Sequence, residues 1–164
     1  MNGLQGMIRR WYQRLIAGAN YLQAPLLLFL RVYFFWQLFL SGKGKLFNIE
    51  RTAEFFGSLN IPLPVVSAYI AGATECFGGL LLVVGLCSRL VAIPVAFTML
   101  VAYITADYEA FTSILSDPDK FVAAGPFPFL LIALLVLAFG PGAFSIDALI
   151  KRFAGPERPG ALKF

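Results

Sequence analysis

A single carboxylate, Glu75, lies in the otherwise uncharged run AYIAGATECFGGLLLVVGLCS of residues 68–88. A charge inside a bilayer is costly, so an intramembrane acid is a candidate functional site. In a helix, residues three, four and seven positions from Glu75 share its face. These residues are Ala68, Gly72, Gly79 and Leu82. A face of small residues lets a second helix approach closely, which predicts that Glu75 points into a helix bundle.

The candidate partners of Glu75 are Arg31 and Gln37, the polar residues of an earlier apolar segment. At 1.5 Å per residue, Glu75 lies about 18 Å and Arg31 about 9 Å from the inner membrane edge, with Gln37 near the depth of Glu75. An Arg31–Glu75 ion pair, joined by Gln37, is the least costly way to bury both charges. Three interpretations stay open: a structural pair, a functional polar site, or an arginine that extends to the membrane surface.

A second polar group is predicted at the outer surface. Lys43 and Lys45 follow the first apolar segment, and Asp107 ends the third. Ordinary anchoring at the membrane interface is the alternative for each of the three.

The composition is typical of a membrane protein. The 164 residues are 59% hydrophobic and 13% charged, whereas soluble domains are about 45–50% apolar and about 25% charged. The chain contains no histidine, and Cys76 and Cys87 lie too far apart on one predicted helix to form a disulfide. Haem and transition-metal sites usually need imidazole or clustered thiolates, so we predict no metal site and no intrinsic cofactor.

Four apolar segments are long enough to be interpreted as membrane-spanning helices. They cover residues 25–42, 65–87, 90–107 and 126–140. Their continuous apolar character lacks the alternation of barrel strands. The predicted fold is therefore an all-α integral membrane four-helix bundle that forms one domain over residues 1–164.

Two basic amphipathic segments, MIRRWYQRLIAG (7–18) and SIDALIKRF (145–153), are predicted to form interfacial helices at the two ends of the chain. Lysines and arginines also set the orientation. The richer side holds Arg9, Arg10, Arg14, Arg89, Lys151, Arg152, Arg158 and Lys163; the other holds Lys43, Lys45, Arg51 and Lys120. We therefore expect a multi-pass protein of a prokaryotic inner membrane with both termini in the cytoplasm. The net charge of +4 reflects this topology and needs no nucleic-acid partner.

The chain resembles the DoxX family of small four-helix membrane proteins. The resemblance rests on Arg31 and on five segments in order: GKGKLF (42–47), FFGSLNIPLP (55–64), AGATECFGGLLLVVGLCSRL (71–90), MLVAYITAD (99–107) and FGPGAFSID (139–147). One departure is Asp107, where many relatives carry histidine. Some DoxX-like proteins are membrane subunits of a thiosulfate:quinone oxidoreductase or of a quinol oxidase. Others accompany redox or metal-stress proteins, and the loop SDPDKF (116–121) is similar to that of relatives found with metal-binding peptides.

The resemblance and the polar residues give one leading hypothesis and two rivals. The leading hypothesis is an accessory membrane subunit that docks a redox or metal-handling partner, with a quinone-like lipid as candidate ligand of Arg31, Gln37 and Glu75. The chain would then be at most a subunit of a quinone-linked oxidoreductase. The first rival is a small-solute or metal-export component, which would need to act as a homo-oligomer because four helices enclose only a narrow pathway. The second rival is a purely structural membrane anchor.

Overall fold

The computed structural model describes residues 2–153, most of which are helical. In chain order the helices are α1 (Asn2–Phe47), α2 (Ile49–Ser58), α3 (Pro64–Val84), α4 (Ser88–Thr105), α5 (Tyr108–Thr112), α6 (Pro118–Ala123), α7 (Pro126–Phe139) and α8 (Ile146–Phe153). A π turn, Thr74–Gly78, interrupts α3 near its middle. Arg158 and Lys163, which contribute to the predicted orientation, lie outside the described residues.

Three of the described helices, α1, α3 and α4, are long and apolar enough to cross a membrane. The fourth apolar helix, α7, has 14 residues and is about 21 Å long, against about 30 Å for a hydrocarbon core. It packs along α4 inside the bundle. The prediction of an all-α membrane protein is confirmed, with α7 shorter than a full span.

The beginning of the chain differs from the prediction. α1 runs from Asn2 to Phe47 and continues through Pro25, the residue at which the first predicted spanning segment, residues 25–42, begins. The missing N–H of Pro25 removes one backbone hydrogen bond, and the helix continues on the others. Residues 7–18 are therefore the first part of α1 and do not form a separate helix, and residues 7–19 are exposed.

The contact between α1 and α3 is close because glycines line it. A Cβ atom on Gly42 of α1 would lie 2.7 Å from the Cβ of Glu75, and one on Gly79 of α3 would lie 2.8 Å from the backbone nitrogen of Phe39. The face of α3 predicted from helical spacing is buried as a whole: Ala68, Gly72, Glu75, Gly79 and Leu82. The prediction that Glu75 lies on an inward face of small residues is thus confirmed.

The apolar core lies among α1, α3, α4 and α7. Its buried residues are Phe35, Leu38, Leu82, Ala92, Val95, Met99, Ile132, Ala133 and Val136. Lipid tails are as apolar as these side chains, so the hydrophobic effect does not drive the helices together. The helices associate mainly through close packing and interhelical hydrogen bonds. The core lies between two buried polar groups, one at Arg31 and one at Glu75, which are at different levels along the bundle.

The short helices α5 and α6 cover one end of the bundle. Tyr103 of α4 is fully buried there; its hydroxyl donates to the carbonyl of Phe121 at 2.7 Å, and the two rings stack 5.1 Å apart. Lys120 and Glu109 form an exposed ion pair of 2.8 Å on the outside of this end. Their hydrogen bond lowers the pKa of Glu109 and raises the pKa of Lys120.

Candidate functional site

Glu75 lies in the π turn of α3, and only 3% of the residue is exposed. A π turn inserts one extra residue into a helical turn, and such turns are frequent at functional sites. Gly42 of α1 packs directly against the backbone of Glu75 and Cys76. The carboxylate is therefore held where the two helices are in contact and faces the side chains of α1.

The partner of Glu75 is Lys45. The Lys45 ammonium lies 2.5 Å from both carboxylate oxygens, and the Ser41 hydroxyl donates to one of them at 3.1 Å. Ser41 and Lys45 are four residues apart, so they lie on one face of α1. The Lys45 side chain is 29% exposed and that of Glu75 is 4% exposed. The pair therefore joins a buried anion to a cation at the edge of the bundle.

The predicted Arg31–Glu75 pair is wrong, because α1 is placed differently along α3 than we assumed. α1 extends to Phe47, and Gly42 is the residue level with Glu75. Arg31 precedes Gly42 by eleven residues, which is about 16 Å along the helix axis. Lys45 follows Gly42 by less than one turn and reaches the carboxylate.

Arg31 instead binds backbone carbonyls at the other end of α3. The residue is 1% exposed, and its guanidinium donates to the carbonyls of Pro141, Val83 and Phe144, the last two at 3.1 Å. Gly85 lies beside it with φ +73°, and a Cβ at Gly85 would lie 2.8 Å from the guanidinium. Arg31 thus neither pairs with Glu75 nor extends to the surface; it ties three chain segments together.

Asp147, which the sequence interpretation missed, completes this connection. Its carboxylate accepts hydrogen bonds from the backbone N–H groups of Cys87 and Ser88, at 2.7 and 2.8 Å, where α4 begins. Its own N–H donates to the carbonyl of Gly85 at 2.9 Å. The segments GLCSR and PGAFSID, separate in the sequence, therefore form one structure with Arg31. Both segments contain glycines typical of turns, and this was the sequence signal that could have indicated their contact.

Three other predicted site residues lie apart from Glu75. Gln37 is exposed on the outer face of α1, where its amide donates to the carbonyl of Tyr33 at 3.3 Å. Lys43 lies over the ring of Phe47 at 5.7 Å. Asp107 precedes α5 and, within the described residues, forms no ion pair with either lysine. The predicted grouping Arg31–Gln37–Glu75 is therefore wrong, because Arg31 and Gln37 have other partners. The outer polar group of Lys43, Lys45 and Asp107 stays a prediction.

A cleft of about 440 Å³ lies beside the Lys45–Glu75 pair, where the chain bends from α1 into α2. Ser41, Gly44, Lys45, Asn48, Arg51, Thr52, Phe55 and Phe56 line it. Their spacing of three to four residues puts them along one side of both helices. The cleft combines two cationic groups with two aromatic rings. Such a surface suits a small, flat molecule that carries hydrogen-bond acceptors or negative charge.

The described residues contain no cluster of three His, Cys, Asp or Glu side chains that could hold a metal ion. Cys76 is half-buried in the π turn, and Cys87 is exposed.

The fold and this site define a class: an α-helical membrane protein with a buried ion pair between its first two long helices. The chain belongs to the DoxX family, whose family model matches residues 26–107, half of the chain. The matched range includes Arg31, Lys45 and Glu75. The resemblance noted in the sequence is thereby confirmed.

A curated relative from Bacillus subtilis (strain 168) has the name "Putative oxidoreductase CatD". It is 39% identical over 72 residues, which are 44% of this chain and 52% of that protein. The chain thus spans about half the length of the curated relative it matches. A comparison with solved structures gave no match.

Proposed function

We propose that this protein is the membrane subunit of a redox system and binds a quinone-like headgroup in the cleft beside Lys45 and Glu75. The proposal rests on one observation: buried Glu75 forms an ion pair with Lys45, and Lys45 also lines an open cleft. The oxidoreductase name of the relative supports the redox class. The electrons would come from a partner protein of the redox class that docks on this subunit.

The residues of the cleft fit a quinone headgroup. Such a group is a flat ring with carbonyl acceptors on opposite edges, and it needs an apolar slot with one or two donors. Phe55 and Phe56 supply apolar walls, and Lys45 and Arg51 supply donors. A volume of about 440 Å³ lies within the usual range for small-ligand sites, about 300–1,000 Å³.

The chemistry of a bound quinone is its reduction to a quinol by two electrons and two protons. The role of this chain is to bind and orient the ring and to hold a proton near it. Lys45 carries a proton at Nζ, and Glu75 fixes that ammonium at 2.5 Å. A buried carboxylate next to a lysine is an arrangement that can pass a proton between the cleft and the bundle.

This assignment replaces the ligand residues suggested by the sequence. The guanidinium of Arg31 is occupied by three carbonyls, and Gln37 lies outside the bundle. Neither residue lines the cleft. Among the three residues first suggested, only Glu75 contributes to the proposed site, and it does so through Lys45.

Photoaffinity labelling with an azido-quinone tests the proposal on the purified full-length chain. We expect label in peptides that cover residues 41–56, and competition by the unlabelled quinone. Lys45→Met should strongly reduce labelling at a quinone concentration near the wild-type Kd. Lys43→Met is the matched control, because Lys43 lies two residues away over Phe47 and does not line the cleft.

A second variant keeps the test valid if Lys45→Met fails to fold. Arg51 lines the cleft and forms no ion pair with Glu75, so Arg51→Met should fold and should weaken labelling. Label restricted to peptides outside residues 41–56, or equal labelling of Lys45→Met and Lys43→Met, would exclude this site.

A further inference from the structure

An exposed stripe along α1 carries an amide side chain, that of Gln37, at membrane depth. Its residues follow alternating three- and four-residue steps along one face of the helix. They are Leu26, Tyr33, Gln37, Leu40 and Gly44, all exposed, with half-buried Leu30 beside them. We call this set the Gln37 stripe. Gln37 lies about 9 Å along the axis from Arg31 and about 12 Å from Lys45, between the two polar levels of the bundle.

Lipid cannot satisfy the amide of Gln37. Its nitrogen donates to the carbonyl of Tyr33 at 3.3 Å, which uses one of its two N–H groups. Among the described residues, its carbonyl oxygen accepts no hydrogen bond. An unpaired polar group is strongly disfavoured in hydrocarbon, and side chains of this type form hydrogen bonds between membrane helices. The amide therefore indicates a polar partner on this face.

We infer that the Gln37 stripe is the interface of a homodimer. The bias of lysine and arginine between the two sides predicts one orientation for every copy. A two-fold axis then runs along the membrane normal and places Gln37 opposite itself. A glutamine amide carries both a donor and an acceptor, and two such groups related by a two-fold axis satisfy each other.

The ends of the stripe are compatible with such a contact. No neighbouring atom lies within 4 Å of a Cβ built on Gly44, so the backbone of a second α1 can approach there. At Tyr33, a hydroxyl on the same face can hydrogen-bond across the interface. Gly44 also lines the cleft beside Lys45. Gln37 lies outside that cleft, so the inference rests on Gln37 and does not require a bound quinone.

Disulfide crosslinking in membranes tests the interface. In the full-length chain with Cys76→Ala and Cys87→Ala, single cysteines are introduced as Gln37→Cys, Leu40→Cys and, as control, Val32→Cys. Val32 is also exposed on α1 but lies about 140° around the helix from Gln37 at 100° per residue. We expect a rapid disulfide-linked dimer from the two stripe positions and little from the control.

The association constant provides a second readout. Gln37→Leu should weaken self-association by about 8-fold to 300-fold, the range for the two symmetry-related interhelical hydrogen bonds that it removes. It should leave folding intact because the side chain is exposed. Equal crosslinking at all three positions, a crosslink only to a different polypeptide, or unchanged association of Gln37→Leu would overturn the inference.

Discussion

The ammonium of Lys45 lies 2.5 Å from the carboxylate of Glu75, which is thirty residues further along the chain and almost fully buried. Gly42, less than one turn before Lys45, packs directly against the backbone of Glu75 and Cys76 in α3. The ion pair therefore depends on how these two helices pack. It also connects the bundle interior with the cleft on the other side of Lys45.

The stability of the pair can be measured with a double-mutant cycle. Lys45→Met leaves a buried carboxylate without its cation, and Glu75→Gln leaves the ammonium without its anion. Each change should lower the free energy of unfolding by roughly 1–3 kcal/mol. The double variant should cost less than the sum, because it leaves no unpaired charge. Thermal unfolding of all four proteins in one detergent gives the result.

The exposed pair Lys120–Glu109 is the internal control for this cycle. Exposed ion pairs contribute little to stability, so Lys120→Met and Glu109→Gln should have small and additive effects. Additive effects at Lys45 and Glu75 as well would mean that those two residues do not interact.

Gly42→Ala should push α1 and α3 apart. The added Cβ would lie 2.7 Å from the Cβ of Glu75, and overpacking of this kind typically costs about 1–3 kcal/mol. Gly44→Ala is the matched control, since nothing lies within 4 Å of its Cβ. That change should be neutral or raise the free energy of unfolding by up to about 1 kcal/mol, because alanine favours helix over glycine. Equal effects of the two substitutions would contradict the close contact.

Arg31→Met should be among the most destabilising substitutions. It removes three part-buried hydrogen bonds, to the carbonyls of Pro141, Val83 and Phe144, which together should contribute about 3 kcal/mol. Arg89→Met is the comparison, because Arg89 is less buried and donates to one carbonyl, that of Ala138. Expression level and unfolding temperature report the difference. A stable Arg31→Met protein would mean that Arg31 does not hold the three segments together.

The membrane orientation follows from the charges and can be tested with thiol reagents. Cys87 is exposed at the end of the bundle near Arg89 and α8, which we expect to face the cytoplasm. In a Cys76→Ala protein, a membrane-impermeant maleimide should label Cys87 in inverted vesicles and leave it unlabelled in intact cells. Ser116→Cys, introduced without the native cysteines, should show the opposite pattern. Labelling of Cys87 from outside would reverse the topology.

The sequence predicted the burial of Glu75 but not its partner, and the reason is geometric. Helical spacing alone places Glu75, Gly72 and Gly79 on one face, and that face is buried. The partner depends on the axial offset between two helices. The predicted first segment ends at residue 42, whereas α1 ends at Phe47. This error of a few residues was enough to make Arg31, and not Lys45, the predicted partner of Glu75. No local pattern fixes that offset; the contact of Gly42 with Glu75 does.

The misplacement of Gln37 has a different cause. The segment LLLFLRVYFFWQLFL is apolar on every side, so hydrophobic periodicity could not assign an inner face to α1. The structure buries Phe35 and Leu38 and leaves Gln37 outside. Asp147 was overlooked because its two backbone partners, at Cys87 and Ser88, are distant in sequence.

The most direct test of the proposed function is the affinity of the purified protein for a short-chain quinone, measured by equilibrium dialysis in detergent. We predict saturable binding to the wild-type protein and to Lys43→Met. Binding to Lys45→Met should be about 10-fold to 100-fold weaker, as expected when one hydrogen bond from a charged donor is lost. Equal affinity of all three proteins, or no saturable binding to the wild-type protein, would contradict a quinone site at Lys45 and Glu75.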